Sequence, residues 1–448
     1  MAKSLKVLLI VEACNPDGAS VPLVGYRLYD SLFQQAEVTL VTHGRNRKSL
    51  QKRHPDRDII YLDESNFSRR YYRLAAWLSC FKGRVIWPLR QALTYPIYGE
   101  FNQQIYSRFA GAIAQGTYDI VHAMTPVMPR YPVKVSRVCG EDSPSKTPFI
   151  LGPVNGGIPF PKGFSDIAKR EFAGLNFLRV VGRFLIPDYR ATYQRAAAIL
   201  SGSAYTTQLI TDLFDLPPHK VKLFHENGLE PSFLAASTGD EKGNVDDAIV
   251  GLKLLFVGRL VPYKGADMLI DAIAQIPAPI RNQLHLTIVG DGAERIPLEQ
   301  QVQARSLTSQ VTFTGWIPQE KTLYYYQKAD VFCFPSVREF GGAVVLEAMG
   351  NGLPCIVVNY GGIGEYTTDK TGFKIPPISR EFVVRQLSKH IAELSVNPAL
   401  RADMSQAARH QAQQYAWPVR ADAIIDIYQQ SIAAREPANS PRLAGVKF

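Results

Sequence analysis

The sequence predicts an α/β protein made of two doubly wound parallel-sheet units facing a central cleft. Three observations predict it. The 448 residues exceed what one hydrophobic core usually holds, so two units of roughly 200 residues are expected. Short β-branched or Leu-rich runs alternate with longer segments of helical period, the pattern of parallel strands joined by crossover helices. A polar, acidic and small stretch from Ala235 to Asp247 interrupts that alternation near the middle, as a linker does.

In the first half, strands are expected at Lys6–Val11, Val38–Val41, Ile59–Leu62, Asp119–Ala123, Phe149–Gly152, Ala198–Ser201 and Val221–Phe224. Phe101, Ile105, Phe109 and Ile113 recur every four residues and predict a helix over Gly99–Gln115. In the second half, strands are expected at Lys253–Val257, His285–Val289, Val311–Phe313, Val331–Phe334 and Cys355–Val358. Helices at Ala266–Ile276, Ile296–Ala304, Gln319–Gln327, Ala343–Asn351 and Glu381–Leu394 separate them. These patterns divide the chain into a first domain at 1–233, a linker at 234–251, a second domain at 252–416 and a terminal helix at 417–436. Two such units bind ligands at the carboxyl edges of their strands, so the site is expected in the cleft between them.

Apolar residues make up 46% and charged residues 20% of the chain, an ordinary globular balance. No run approaches the ~20 apolar residues of a membrane-spanning helix, and Leu5–Val11 reads as a buried strand rather than a leader. The five cysteines are scattered and never spaced C-x-x-C. Reduced thiols in a cytoplasmic protein are therefore expected, not a disulfide framework or a zinc site. The net charge of +10 is uneven: between Arg45 and Arg90 twelve basic residues stand against four acidic ones, interleaved with Tyr71, Tyr72, Trp77, Phe81 and Trp87. Such a segment is either a solvated basic face or a peripheral contact with an anionic membrane surface. No nucleic-acid motif accompanies the charge, so nucleic acid is not an expected partner.

The segment Ser336–Pro354 concentrates the chemistry. An apolar strand ends at Pro335, a loop carries Glu339, and Gly341 and Gly342 open a helix containing Glu347. Glycines there let a ligand approach the backbone closely, and a helix start favours an anion such as a diphosphate. Glu339 would face the same pocket and accept hydrogen bonds from sugar hydroxyls. A pair of carboxylates at a helix start can equally well do no more than complement its dipole.

Ser336, Arg338-Glu339-Phe340-Gly341, Glu347-Ala348-Met349 and Gly352-Leu353-Pro354 together resemble the Glu-seven-residues-Glu signature of the family 4 retaining glycosyltransferases of GT-B fold. Gly258-Arg259-Leu260 and Tyr263-Lys264-Gly265 resemble that family's Gly-Arg…Lys-Gly element. An Arg fork and a Lys point charge five positions apart also suit a departing diphosphate on simple electrostatic grounds. His122 matches the residue that meets the donor sugar in the family, although a lone His at a strand end is more often a hydrogen-bonded core residue. Leu151-Gly152-Pro153-Val154-Asn155-Gly156-Gly157 resembles a Gly-Pro loop of some members, with Asn155 close to donor or acceptor. Asn359-Tyr360-Gly361-Gly362 with Glu365 resembles the Gly-Gly…Glu element walling the base or sugar, and Gly290-Asp291-Gly292 a turn near the nucleotide. His225-Glu226-Asn227-Gly228 resembles a structural turn before the linker. Tyr415-Ala416-Trp417-Pro418 resembles the start of a terminal helix that crosses back onto the first domain.

The chain departs from the family after the first strand, where many members carry a Gly-Gly pair. Here Gly18 is left to supply one amide to the donor phosphate, and Ser20 to cap the following helix.

The resemblance implies transfer of a sugar from a nucleotide-sugar donor to a hydroxyl of a glycan, glycolipid or lipid-linked acceptor, with retention, in cell-surface or exopolysaccharide synthesis. Glu339, His122, Arg259 and Lys264 would be catalytic. Glu347, Phe340, Gly341, Gly342, Gly18, Gly290 and Gly362 would hold the donor. No cofactor and no metal are implied, since the motifs contain no metal-ligand cluster. Alternative readings are a nucleotide-sugar epimerase of the same fold or a non-catalytic glycan-binding member. A glycosidase would need carboxylate pairs but no phosphate-binding cations.

Overall fold

The structure is a computed structural model that describes residues 4–81, 84–124, 131–171, 186–235 and 251–435. Lys82, Thr125, Pro126, most of the expected linker, and the tail residues Glu436, Pro437, Asn439 and Pro441 lie outside the described residues.

Two parallel sheets organise the chain. The first contains β1 (Lys6–Ile10), β2 (Glu37–His43), β3 (Ile59–Leu62), β6 (Ile120–Ala123), β7 (Phe149–Val154), β8 (Ala198–Ser201) and β9 (Val221–Leu223), in the order β3-β2-β1-β6-β7-β8-β9. A short hairpin, β4 (Cys80–Phe81) and β5 (Arg84–Val85), stands apart from it. The second sheet contains β10 (Leu252–Val257), β11 (Leu284–Val289), β12 (Val311–Gly315), β13 (Val331–Phe334), β14 (Cys355–Val358) and β15 (Gly372–Ile375), in the order β12-β11-β10-β13-β14-β15. Central strands such as Val331-Phe332-Cys333-Phe334 are buried on both faces. That is why they read as continuous apolar runs rather than alternating ones.

Both sheets reverse direction of growth beside their first strand, between β1 and β6 and between β10 and β13. Loops leaving the carboxyl ends of strands on either side of such a switch point diverge, and the gap between them is where ligands fit. The second-domain gap lies between the turn after β10, with Arg259 and Lys264, and the loop after β13, with Glu339.

The helix Trp417–Ala433 packs on the first domain, with Trp417, Ala421, Ile424 and Tyr428 buried among Leu9, Leu28, Tyr29 and Ile150. Its apolar stripe thus closes the first core although it follows the second in sequence.

Three local expectations change. The helix expected over Gly99–Gln115 runs from Trp87 to Ala114, passing through Pro96. The edge strand β15 was not anticipated, because Gly372-Phe373-Lys374-Ile375 is short and carries a lysine, as edge strands do. Ser20 does stand ahead of helix Val21–Phe33, but at φ 58° and with no capping hydrogen bond from its side chain.

Candidate active site

The second-domain residues named in the sequence converge. The turn Pro262–Lys264 packs against the loop after β13: Val337 donates its amide to the Tyr263 carbonyl at 2.9 Å, and Ser336 Oγ donates to the same oxygen at 3.2 Å. Gly265 adopts φ 75°, and a side chain there would run into the Pro335 carbonyl, so the two segments approach because a glycine stands between them. The approach brings the Lys264 ammonium onto the Glu339 carboxylate in a close ion pair, with side chains only 12% and 15% exposed. Lys264 also sits 4.9 Å above the Phe334 ring. Arg259 is exposed, its Nη2 donating to the Tyr263 hydroxyl at 2.9 Å.

Gly342 supplies the left-handed residue (φ 65°) that starts helix Ala343–Gly350, and a Cβ there would run into Ile363 and crowd the Glu339 side chain. Glu339 and Gly361 pair as a parallel bridge, and the Gly362 amide is shared between the carbonyls of Glu339 (3.3 Å) and Phe340 (3.2 Å). The paired glycines thus pin the loop that carries Glu339. Glu347 is 5% exposed and accepts from Gln319 Nε2 (2.6 Å) and the Tyr326 hydroxyl (2.8 Å). Burial raises its pKa, and those two donors act against the rise. Gly290, at φ 141°, lets β11 pass against the Gly258 carbonyl; its amide is donated to Gly315 at 2.9 Å.

Two first-domain expectations are corrected. His122, a residue of β6, is fully buried. Its Nδ1 meets the Tyr428 hydroxyl at 2.6 Å and its Nε2 the Gly152 carbonyl at 2.7 Å. Both ring nitrogens are spent, and burial pushes its pKa down to about 4. Gly18 donates its amide to the Asn15 carbonyl at 3.2 Å, closing a turn; that N–H is not aimed at a ligand.

Asn155 and Glu226 form a contact that the sequence does not announce. Asn155 is buried, its Nδ2 donating to Glu226 Oε2 (2.7 Å), Glu226 Oε1 (2.9 Å) and the Phe340 carbonyl (3.1 Å). It is a bridge between domains. Glu226, read as part of a plain turn, reaches the Gly341 backbone. Next to it His225 Nε2 lies 2.9 Å from Glu365, which also accepts from the Ala204 amide at 3.0 Å. Arg338 completes the seam, donating to the Ile158 carbonyl at 2.9 Å with its guanidinium 4.7 Å from the Phe160 ring. One signal could have marked Glu226: a carboxylate between apolar Phe224 and Gly228-Leu229 has few ways to stay solvated.

The chain's Asp-x-Asp, Asp56-Arg57-Asp58, lies in the turn ahead of β3 with both aspartates exposed. Among the described residues no group of three His, Cys, Asp or Glu side chains is placed to hold a metal, and no helix is long and apolar enough to cross a membrane.

Two doubly wound domains meeting at a seam, with cations and a glycine-opened helix at the second switch point, define a protein of GT-B architecture. Residues 251–411 match the sequence profile of the family described as glycosyl transferases group 1. A D-inositol 3-phosphate glycosyltransferase of Saccharomonospora viridis is 30% identical over 198 residues, which cover 42% of this chain and 44% of that protein. The chain spans about half the length of the curated relatives it matches. The fold is shared with the sucrose-phosphate synthase of Thermosynechococcus elongatus (TM-score 0.62, 19% identity, 96% of this chain and 100% of that one). It is shared also with the Anabaena protein HepE in complex with UDP (TM-score 0.59, 18% identity, 95% and 100%).

Proposed function

We propose that this chain is a retaining, metal-independent glycosyltransferase that moves a sugar from a nucleotide sugar to an acceptor hydroxyl. The observation that carries the reading is the Lys264–Glu339 pair beside the Gly341–Gly342 helix start, with Arg259 on the Tyr263 hydroxyl. Lys264 and Arg259 meet the charge that grows on the departing diphosphate, and the amides around Phe340, Gly341 and Gly342 add fixed dipoles. Glu339 holds sugar hydroxyls once Lys264 turns to the phosphate. Glu347 offers its remaining lone pairs to the ribose, while Gly290 and Gly362 shape the wall. The anomeric C–O bond to phosphate breaks as the acceptor oxygen bonds on the same face, and the leaving phosphate takes the acceptor's proton.

The domain limits we adopt are 1–233, 252–416 and 417–436. We place the acceptor among glycans, glycolipids or lipid-linked saccharides of surface or exopolysaccharide synthesis, handled at the cytoplasmic face of a membrane. Helix Asn66–Leu78 supports this. Only Ser68 and Ala75 of it are buried, while Phe67 and Trp77 are each 73% exposed and Leu74 and Leu78 about half exposed, beside Arg69, Arg70 and Arg73. An apolar ridge bordered by arginines suits an anionic lipid surface. Co-sedimentation with anionic vesicles, lost on Trp77→Glu and in high salt, is the expected result; binding indifferent to both would reject the contact.

The main test is nucleotide release across UDP-, GDP- and ADP-sugars, with and without acceptors, beginning with UDP-sugars because HepE binds UDP. Full transfer by Glu339→Ala or Arg259→Ala would refute the site. An epimerised sugar formed without any acceptor would refute the reaction.

A further inference from the structure

Glu226 comes from the first domain, yet its carboxylate is held against the second. It is 9% exposed, and both oxygens take hydrogen bonds from Asn155 Nδ2 at 2.7 and 2.9 Å. Asn155 is itself locked, because its Oδ1 accepts from Ser203 Oγ (3.1 Å) and Thr206 Oγ1 (3.0 Å). The Phe340 carbonyl can only accept, so the amide NH2 must face it and Glu226. A glycine backbone flanks the carboxylate on each side: a side chain on Gly202 of the first domain or on Gly341 of the second would collide with it. A built seat of this kind at a domain seam is costly for a carboxylate unless the seat is used.

We propose that Glu226 is a positioning residue of the donor site: seated by Asn155, it ties the first domain to the Gly341 turn and sets the charge that this turn offers a nucleoside diphosphate. The proposal rests on the nucleotide-sugar reading above. An anion docking at the start of helix Ala343–Gly350 arrives next to Glu226 and near Glu339. The groups facing Glu226 are Asn155, Gly202, Gly341, the Glu339 carboxylate, the Tyr366 ring and, from the terminal helix, Arg420. Arg420 is turned to the His225 carbonyl (2.5 Å) and the Phe224 ring (3.7 Å), so it tempers Glu226 through space. Glu339 has Lys264 as its partner. Burial and the Glu339 charge push the Glu226 pKa up to about 7, with Asn155 and Arg420 acting against them. The neutral acid tolerates an incoming diphosphate and the carboxylate repels it. Donor binding therefore takes up a proton at Glu226.

The test is calorimetric titration of UDP into the full chain and into Glu226→Gln from pH 6 to 8.5, in two buffers of different ionisation enthalpy. Amide exchange of the 339–342 segment is followed in the ligand-free proteins, with Asn155→Ala and Glu226→Ala added. Native affinity is expected to weaken about tenfold more than that of Glu226→Gln as pH rises through 7. Proton uptake should vanish in Glu226→Gln, and the 339–342 amides should open in Asn155→Ala and Glu226→Ala but not in Glu226→Gln. A native pH slope and proton uptake in Glu226→Gln, or unchanged exchange in both alanine variants, would overturn the proposal. Failure of the underlying reading looks different: the native chain would bind none of UDP, GDP and ADP at any pH.

Discussion

His122 and Tyr428 are joined at 2.6 Å, 306 residues apart in the chain, and their rings meet edge to face at 5.6 Å. The Gly152 carbonyl on Nε2 can only accept, so Nε2 carries the proton and Nδ1 accepts from the Tyr428 hydroxyl. This pair fastens the terminal helix to the first sheet. Removing the hydroxyl with Tyr428→Phe leaves a buried imidazole nitrogen unsatisfied, at an expected cost of about 1–3 kcal/mol. Urea unfolding should show a lower midpoint with unchanged slope. Nucleotide binding and turnover, measured well below the unfolding transition, should stay native. A folded Tyr428→Phe chain that has lost turnover would return His122 to the reaction.

The same histidine makes stability sensitive to acid. Burial holds His122 and His43 neutral down to about pH 4, whereas the unfolded chain protonates histidine near 6.5. Below 6.5 the unfolded state binds more protons, so stability falls as pH drops toward 4 and is unaffected by these groups above 6.5. For His122 the span is at most ~3 kcal/mol. Denaturation midpoints at pH 7, 5.5 and 4.5 check it, and His122→Asn should flatten the slope. A slope identical in the variant would place the acid sensitivity elsewhere.

Lys264 and Glu339 neutralise each other in the ligand-free protein, so the two single variants should behave differently. Lys264→Ala removes the cation and leaves Glu339 facing the diphosphate; kcat/KM should fall on the order of 10²–10³-fold, with weaker nucleotide binding. Glu339→Gln frees Lys264 for phosphate and should keep or tighten nucleotide affinity while kcat falls. Equal losses of nucleotide affinity in both variants would contradict this division of labour.

The fold was legible because buried parallel strands advertise themselves: Val331-Phe332-Cys333-Phe334 and Cys355-Ile356-Val357-Val358 have no polar residue to disguise them. That the second-domain loops meet was legible for a related reason. Arg259, Lys264, Glu339 and the glycines lie in short loops directly after strands at the switch point, so sequence order nearly dictates proximity. The first-domain contacts were not. Strand periodicity cannot say which face of β6 carries His122, and only the terminal helix, supplying Tyr428, decides it. Nor does anything local tell that Glu226 meets Gly341, 115 positions away, since that contact exists only when the domains close on each other.

Gly341 is where that closure is most exposed to a single methyl group. A Cβ at this position would fall inside van der Waals contact of Asn227 Nδ2 and Glu226 Oε1, both from the first domain, while Gly341 itself has no left-handed φ to protect. The strain of Gly341→Ala is therefore between domains and not within the backbone. Each domain core is remote from the methyl, so the chain should fold, with a loss of about 1–3 kcal/mol from overpacking. The Glu339 loop should part from Asn155, raising amide exchange at 339–342 and lowering kcat/KM more than stability. Because the clash involves Asn227 and Glu226 together, adding Asn227→Ala should restore part of the loss, and the two substitutions should be clearly non-additive. Strict additivity in a double-mutant cycle, read by kcat/KM and by exchange, would mean that the glycine serves something other than this seam.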